Sequence, residues 1–176
     1  MVDIKYTQNF YNNTSKISKL VSSIEIKEND IVLDVGAGKG ILTNELGKYS
    51  KNVIAYELDS EYYEILKHTF HDRKNILLVN EDFTQVHLPK KPFKVFANIP
   101  FSLTADIVNK ITSDESQLSE AYLFVQKESG DRFVGKPRNT QIATILSYRF
   151  NTEIIDTFER GDFKPIPNVD IVLLKI

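Results

Sequence analysis

Residues 31–40 read Ile-Val-Leu-Asp-Val-Gly-Ala-Gly-Lys-Gly, an aliphatic, β-branched run that stops in three glycines spaced two apart. A run of that length and composition makes a buried strand. Glycines directly after it make a tight loop in which φ can turn positive and backbone N–H groups can come close to a ligand. The amphipathic stretch 41–49 then supplies a helix, so the loop delivers the chain from a strand to a helix start, where a nucleotide-like molecule fits. Such a turn belongs to α/β folds, whose ligands sit outside the carboxyl ends of parallel strands.

The next strand, 52–57, ends in Glu57, about twenty positions after Gly36, where such folds place the acceptor for a pair of ribose hydroxyls. The glycine spacing sharpens the ligand. A dinucleotide fingerprint wants its third glycine three positions after the second, a place held by Ile41, whereas here it falls at Gly40. That favours S-adenosylmethionine over NAD, although an NAD-dependent oxidoreductase stays open on the segment 36–57 taken alone.

Alternation of strand and helix patterns continues along the chain. Before the glycine loop a helix is expected over 15–23. After it come a helix over 61–70, strands over 76–79 and 94–97, and a helix over 103–112. A strand over 121–126 and helices over 127–133 and 140–150 follow. Two last strands, 153–158 and 170–176, flank a Phe163-Lys164-Pro165-Ile166-Pro167 loop and are expected to pair antiparallel. The expected fold is α/β and Rossmann-like: a mainly parallel seven-stranded sheet with helices on both faces. It brings the glycine loop, Glu57, Asp82 and Asn98 to one edge.

Asp82-Phe83 follows the 76–79 strand, where a carboxylate can accept from the exocyclic amine of an adenine and a ring can pack on its base. Asn98-Ile99-Pro100-Phe101 follows the 94–97 strand. The Asn98 side-chain oxygen and the Ile99 carbonyl can each accept one N–H of an adenine amine, turning its nitrogen lone pair toward a methyl group. Pro100 stiffens this turn, and Phe101 offers a face for an extruded base, a contact worth ~1–3 kcal/mol. The polar-aromatic run Gln8-Asn9-Phe10-Tyr11 reads either as a packed loop or as a lid in which Asn9 hydrogen-bonds a ligand.

Size and charge bound the rest. With 176 residues, 41% of them hydrophobic, the chain is expected to form one domain over 1–176. No apolar run approaches the ~20 residues of a membrane span, and the first residues are polar, so a cytoplasmic protein without membrane partners is expected. Zero cysteines exclude disulfides and thiolate metal sites, and His68, His71 and His87 form no recognisable metal cluster. A net charge of −2 and a pI near 5.9 lack the basic balance of a nucleic-acid binder. Two local groups work against that: Lys90, Lys91 and Lys94, and Lys127, Arg132, Lys136, Arg138 and Arg149.

Taken in order, Gln8-Asn9-Phe10, Gly36-Ala37-Gly38-Lys39-Gly40, Glu57, Asp82 and Asn98-Ile99-Pro100-Phe101 resemble the rRNA adenine N6-methyltransferase family. That family includes the erythromycin-resistance methyltransferases of large-subunit rRNA and the dimethyladenosine transferases of small-subunit rRNA. The resemblance covers essentially the whole chain and extends to residues 163–169. It implies a class I methyltransferase fold, S-adenosylmethionine as donor and N6 of an rRNA adenine, in a loop or helix end, as acceptor. S-adenosylhomocysteine is then the expected cofactor product, and a monomer is expected.

By match, Asn9 and Tyr11 lie over the cofactor, Gly36 and Gly38 against its methionine part, Glu57 on the ribose, and Asp82 with Phe83 at its adenine. Asn98 touches both donor and acceptor, and Phe101 and Phe163 sandwich the target base. The Ile-Pro form and Lys39 look more like the resistance branch. Large-subunit RNA is therefore the expected target, with small-subunit dimethylation, or a cofactor- and RNA-binding module with little turnover, as alternatives. Phe101 stands where the family more often has tyrosine, Tyr11 replaces an aliphatic residue, and the family's C-terminal helical RNA-binding domain is expected to be absent.

Overall fold

The strand that leads into the glycine loop, β2 (Ile31–Val35), is buried along Val32 to Val35, as a strand flanked by parallel neighbours with helices on both faces must be. The structure, a computed structural model, describes residues 10–11, 13–98 and 100–176. Around β2 the elements run β1 (Phe10–Tyr11), α1 (Thr14–Ser23), α2 (Ile41–Leu46), β3 (Asn52–Tyr56), α3 (Ser60–Thr69), β4 (Ile76–Val79) and β5 (Phe93–Ala97). The second half adds α4 (Thr104–Ile111), β6 (Leu118–Gln126), α5 (Lys127–Phe133), α6 (Gln141–Ser147), β7 (Glu153–Phe158), β8 (Phe163–Lys164) and β9 (Ile171–Lys175).

Seven strands form one sheet in the order β4-β3-β2-β5-β6-β9-β7. The first five are parallel, and β9 runs antiparallel to both β6 and β7. The expected mainly parallel seven-stranded sheet is what forms, with its last two strands antiparallel. They do not simply close an edge, because β9 inserts between β6 and β7, and β8, in the loop joining them, pairs with β1 instead.

Alternate strand residues feed two cores. Leu33, Val95, Leu123 and Leu174 meet Ile107, Ile111, Phe133 and Leu146 of α4, α5 and α6. Val32, Phe96, Phe124 and Leu173 meet Ile17, Val21, Leu42 and Leu46 of α1 and α2 on the other face.

The helix after the glycine loop is shorter than its periodicity suggests. It stops at Leu46, where the Gly47 N–H bonds the Thr43 carbonyl, and Arg73 and Asn75 both donate to the Gly47 carbonyl at 2.9 and 2.8 Å. A Cβ at Gly47 would stand 2.7 Å from the Arg73 guanidinium, so the glycine makes room for this cap.

Part of each basic group is tied up in ion pairs, while Lys90 and Lys91 are exposed. Lys94 is spent on the Glu25 carbonyl, Glu120 at 2.6 Å and Asp30 at 3.6 Å. Lys127 pairs with Asp131, and Arg149 reaches Asp114 and the carbonyls of Thr112, Ser113 and Ser116. Arg132, Lys136 and Arg138 are exposed. No helix among the described residues is long and apolar enough to cross a membrane.

Candidate active site

The carboxyl ends of β2, β3, β4 and β5 meet at the glycine loop. Gly36, Gly38 and Gly40 all take positive φ, at 78°, 54° and 78°. At Gly40 the constraint is double, because a Cβ there would also lie 2.7 Å from the ring of Phe70. The N–H groups of Gly36 and Ala37 donate to the Tyr56 carbonyl at 2.9 and 3.0 Å, which hangs the loop on the end of β3.

Glu57 completes this frame. It is 2% exposed; its Oε2 accepts from the Gly38 N–H at 2.7 Å and its Oε1 from the Asp59 N–H at 2.9 Å. Burial pushes its carboxyl above the ordinary range, while the two N–H groups pull it back. Each oxygen keeps a lone pair for a further donor.

Two depressions flank Gly36, which lines both. One, of about 450 Å³, is walled by Tyr56, Glu57, Asp82, Phe83, Pro100 and Leu103. Phe83 is buried, with the Tyr56 ring edge-on at 5.1 Å. Asp82 turns one oxygen onto the Thr84 N–H and hydroxyl, both at 2.8 Å. Lys110, reaching over from α4, donates to the carbonyls of Thr84 and Val86 at 3.0 and 2.5 Å and lies 5.7 Å from the Phe83 ring centre.

The other depression, of about 390 Å³, is lined by Asp34, Lys39, Asn98, Ile17, Leu42 and Phe124. Sequence reasoning does not single out Asp34, although a lone carboxylate inside an aliphatic strand is a signal available there. Asp34 is 1% exposed; its Oδ2 accepts from the Thr43 hydroxyl at 2.5 Å, and its Oδ1 meets no donor among the described residues. Burial pushes the carboxyl up to about 7.

The two depressions thus collect Gly36, Glu57, Asp82, Phe83, Asn98 and Pro100 around one loop, with Gly38 behind it on Glu57. Two expected residues stand elsewhere. Phe101 lines a neighbouring groove between α4 and α5, with Ser102, Ala105, Asn109, Arg132 and Phe133. Phe163 offers no stacking face. It is 0% exposed, packed edge-on against Phe124 and Phe158 at 6.3 and 6.2 Å, because the apolar ring is drawn into the core on the α1 side of the sheet. In this structure it holds a core position one ring behind the Asn98 depression. Asn9, Ile99 and the Tyr11 side chain lie outside the described residues. The three histidines are exposed.

The family model for ribosomal RNA adenine dimethylase matches residues 2–176. A ribosomal RNA small subunit methyltransferase A from Fusobacterium nucleatum subsp. nucleatum is 37% identical over 178 residues, covering 98% of this chain and 67% of the relative. One of the same name from Mycoplasmopsis pulmonis is 33% identical over 176 residues, covering 98% and 69%. The chain thus spans about two thirds of the length of these relatives.

Among solved structures, the 23S rRNA methyltransferase ErmE superposes with a TM-score of 0.88 at 27% identity, over 95% of this chain and 68% of that one. A dimethyladenosine transferase from Plasmodium falciparum gives 0.82 at 27% identity, over 94% and 62%. The likeness thus runs along nearly the full chain, and the chain belongs to the ribosomal RNA adenine dimethylase family.

Proposed function

We propose that this chain carries the catalytic part of an S-adenosylmethionine-dependent methyltransferase acting on N6 of an adenine in small-subunit rRNA. The observation that carries the chemistry is the convergence of Asp34, Gly36 and Asn98 on one depression, with Glu57 and Asp82 on the depression beside it. The subunit choice rests on the curated relatives, which are small-subunit enzymes by name at 37% and 33% identity, above the 27% of the resistance-type structure. The large-subunit target favoured by the Ile-Pro turn and Lys39 takes second place on that ground.

The residues present fit the cofactor. Glu57 has acceptor capacity left for ribose hydroxyls, and Asp82 with Phe83 and Tyr56 offers an acceptor beside apolar faces for an adenine. The orphaned Asp34 Oδ1 supplies the acceptor that a bound amino group needs. When bound, S-adenosylmethionine supplies an electrophilic methyl on sulfonium. The chain's own work is positioning. Asn98 accepts an N–H of the target amine and holds its nitrogen toward the donor side, Pro100 stiffens the turn, and the apolar walls of Ile17, Leu42 and Phe124 exclude water. No strong general base is required, because the amine nitrogen becomes acidic only once it is methylated.

The test is transfer of radiolabelled methyl to protein-free small-subunit and large-subunit rRNA in parallel at low salt, which strengthens phosphate contacts. Label on small-subunit RNA alone is the expected result. Label on large-subunit RNA alone overturns the subunit assignment. Label on neither, with cofactor binding intact, points to the second reading: a cofactor-binding part that needs the remaining third of its relatives' length to hold RNA.

A further inference from the structure

Between β4 and β5 the chain runs through residues 80–92 without helix or strand, yet residues 81–84 of that stretch wall the depression beside Gly36. A wall made of irregular chain needs outside partners for its backbone, because no ladder or helix supplies them. One side chain supplies two. Lys110, in the last turn of α4, donates to the Thr84 carbonyl at 3.0 Å and to the Val86 carbonyl at 2.5 Å. Its ammonium also stands 5.7 Å from the centre of the Phe83 ring.

Thr84 passes this anchorage to the depression. Its carbonyl is held by Lys110, while its N–H and hydroxyl both hold one oxygen of Asp82 at 2.8 Å. The Gln85 N–H closes the turn on the Asp82 carbonyl at 2.8 Å. Asp82, Phe83 and Thr84 line the depression together with Ile107 of α4. Lys110 follows Ile107 by three residues and so stands on the same side of the helix, where its bonds tie α4 to the irregular wall. Burial pulls the Lys110 ammonium below its ordinary range, and the Asp82 carboxylate draws it back. Bonds from an ammonium to carbonyls are stronger than neutral ones.

We infer that Lys110 is a positioning residue that fixes the Asp82-Phe83-Thr84 wall against α4 and thereby sets how the depression reads the base of the cofactor. The inference rests on the proposed function, under which this depression takes the adenine of S-adenosylmethionine. Lys110 itself lines neither depression, so it acts through Thr84 and Phe83. The consequence is selectivity: a well-placed Asp82 accepts from the exocyclic amine of adenine and meets only another acceptor where a base carries a carbonyl oxygen there.

The experiment measures by calorimetry the Kd of S-adenosylhomocysteine and of S-inosylhomocysteine, which carries a carbonyl oxygen in place of the adenine amine. The proteins are the full chain, Lys110→Met, Lys110→Gln and Lys110→Arg, each also assayed for thermal melting and for methyl transfer to protein-free small-subunit rRNA. The wild-type protein is expected to bind the adenosyl ligand at least about tenfold more tightly, the usual worth of a hydrogen bond to a charged group. Lys110→Met keeps the length of the side chain and removes its donors. It is expected to bring the ratio below about threefold, chiefly by weakening the adenosyl ligand. Lys110→Arg, whose fork can donate to both carbonyls, is expected to keep the ratio within about twofold of wild type. Lys110→Gln, shorter and neutral, is expected to fall between them and decides the matter should Lys110→Met not fold.

Equal weakening of both ligands, with the ratio intact in Lys110→Met or, failing that, in Lys110→Gln, means that Lys110 serves only stability and overturns the inference. Wild-type protein that transfers methyl yet binds the two ligands equally also overturns it, while leaving the proposed function standing. Wild-type protein that binds neither ligand and transfers no methyl overturns the proposed function and the inference with it.

Discussion

The two sides of the crevice are built differently. On the cofactor side, Glu57 grips the backbone N–H groups of Gly38 and Asp59, the loop hangs from the Tyr56 carbonyl, and Asn80 ties the end of β4 to the Glu57 carbonyl at 2.7 Å. Nearly every bond there runs to backbone, so the geometry is set before a ligand arrives. On the target side the groups are side chains on separate elements. Asn98 faces the Asp34 depression, Phe101 lines a different groove, and Phe163 is inside the core. Under the proposed function, the cofactor side is thus preset by backbone bonds, whereas the groups that would meet the target amine are side chains held by separate elements.

Substitutions can break or sharpen that contrast. The largest effect is expected at Asn98→Ala. Methyl transfer in single-turnover assays should fall at least about 100-fold, because the target amine loses its fixed acceptor. Unfolding free energy should fall by no more than ~1.5 kcal/mol, the usual worth of a hydrogen-bonding side chain that is only half-buried. Retained activity would sink the positioning role.

Phe163→Ala decides whether that ring belongs to the target side or to the core. As a wholly buried phenylalanine it should cost ~3–5 kcal/mol in urea unfolding. A loss under ~1 kcal/mol together with lost activity would return Phe163 to the base.

Glu57→Gln probes the cofactor side. The new amide sets a donor against one of two backbone N–H groups, a mismatch of ~1–3 kcal/mol. S-adenosylhomocysteine should bind about tenfold or more weakly by calorimetry, with RNA binding unchanged. An unaltered Kd would mean that Glu57 serves only the loop.

Asp34 gives a pH dependence of definite sign. Its folded carboxyl titrates near 7 against an ordinary 3.8, so between those values the unfolded chain has released a proton that the folded chain still holds. This residue therefore makes stability fall as pH rises from 3.8 toward 7, with the loss complete above 7. Asp34→Asn keeps an acceptor for Thr43 and should remove that part of the slope, seen in urea midpoints at pH 5 and pH 8. Identical slopes in the two proteins would contradict a buried neutral carboxyl.

The smallest effect belongs to Phe101→Tyr, which restores the residue the family more often carries. The ring is half-buried beside an open groove, so stability should move by less than ~0.5 kcal/mol. Transfer should change by severalfold at most, read as kcat/KM on small-subunit rRNA.

Much of the frame around the glycine loop and of the sheet was legible in the chain itself. Positive φ at Gly36, Gly38 and Gly40, the strand end at Val79, the end at Tyr56 to within one residue of the expected Glu57, and the antiparallel partner of β7 all followed from local patterns. Those features depend on backbone conformation and on periodicities of two and 3.6, both carried by neighbours in sequence. Asp34 is marked in the sequence only as a lone carboxylate in an aliphatic strand; that its carboxyl is buried, raised and bonded by Thr43, nine residues on, is decided by packing.

Hydropathy and glycine spacing were enough to write a strand, a loop and an acid-capped second strand into this chain, because each is decided within about twenty residues of itself. Tertiary packing alone decided that β9 enters between β6 and β7, that β8 leaves to pair with β1, and that Phe163 lies under Phe124. An aromatic residue in a proline-rich loop carries no local mark of whether it will face solvent or core. That choice is made by the apolar surface waiting for it, which here is assembled from α1, β6 and β7, elements brought together from across the chain.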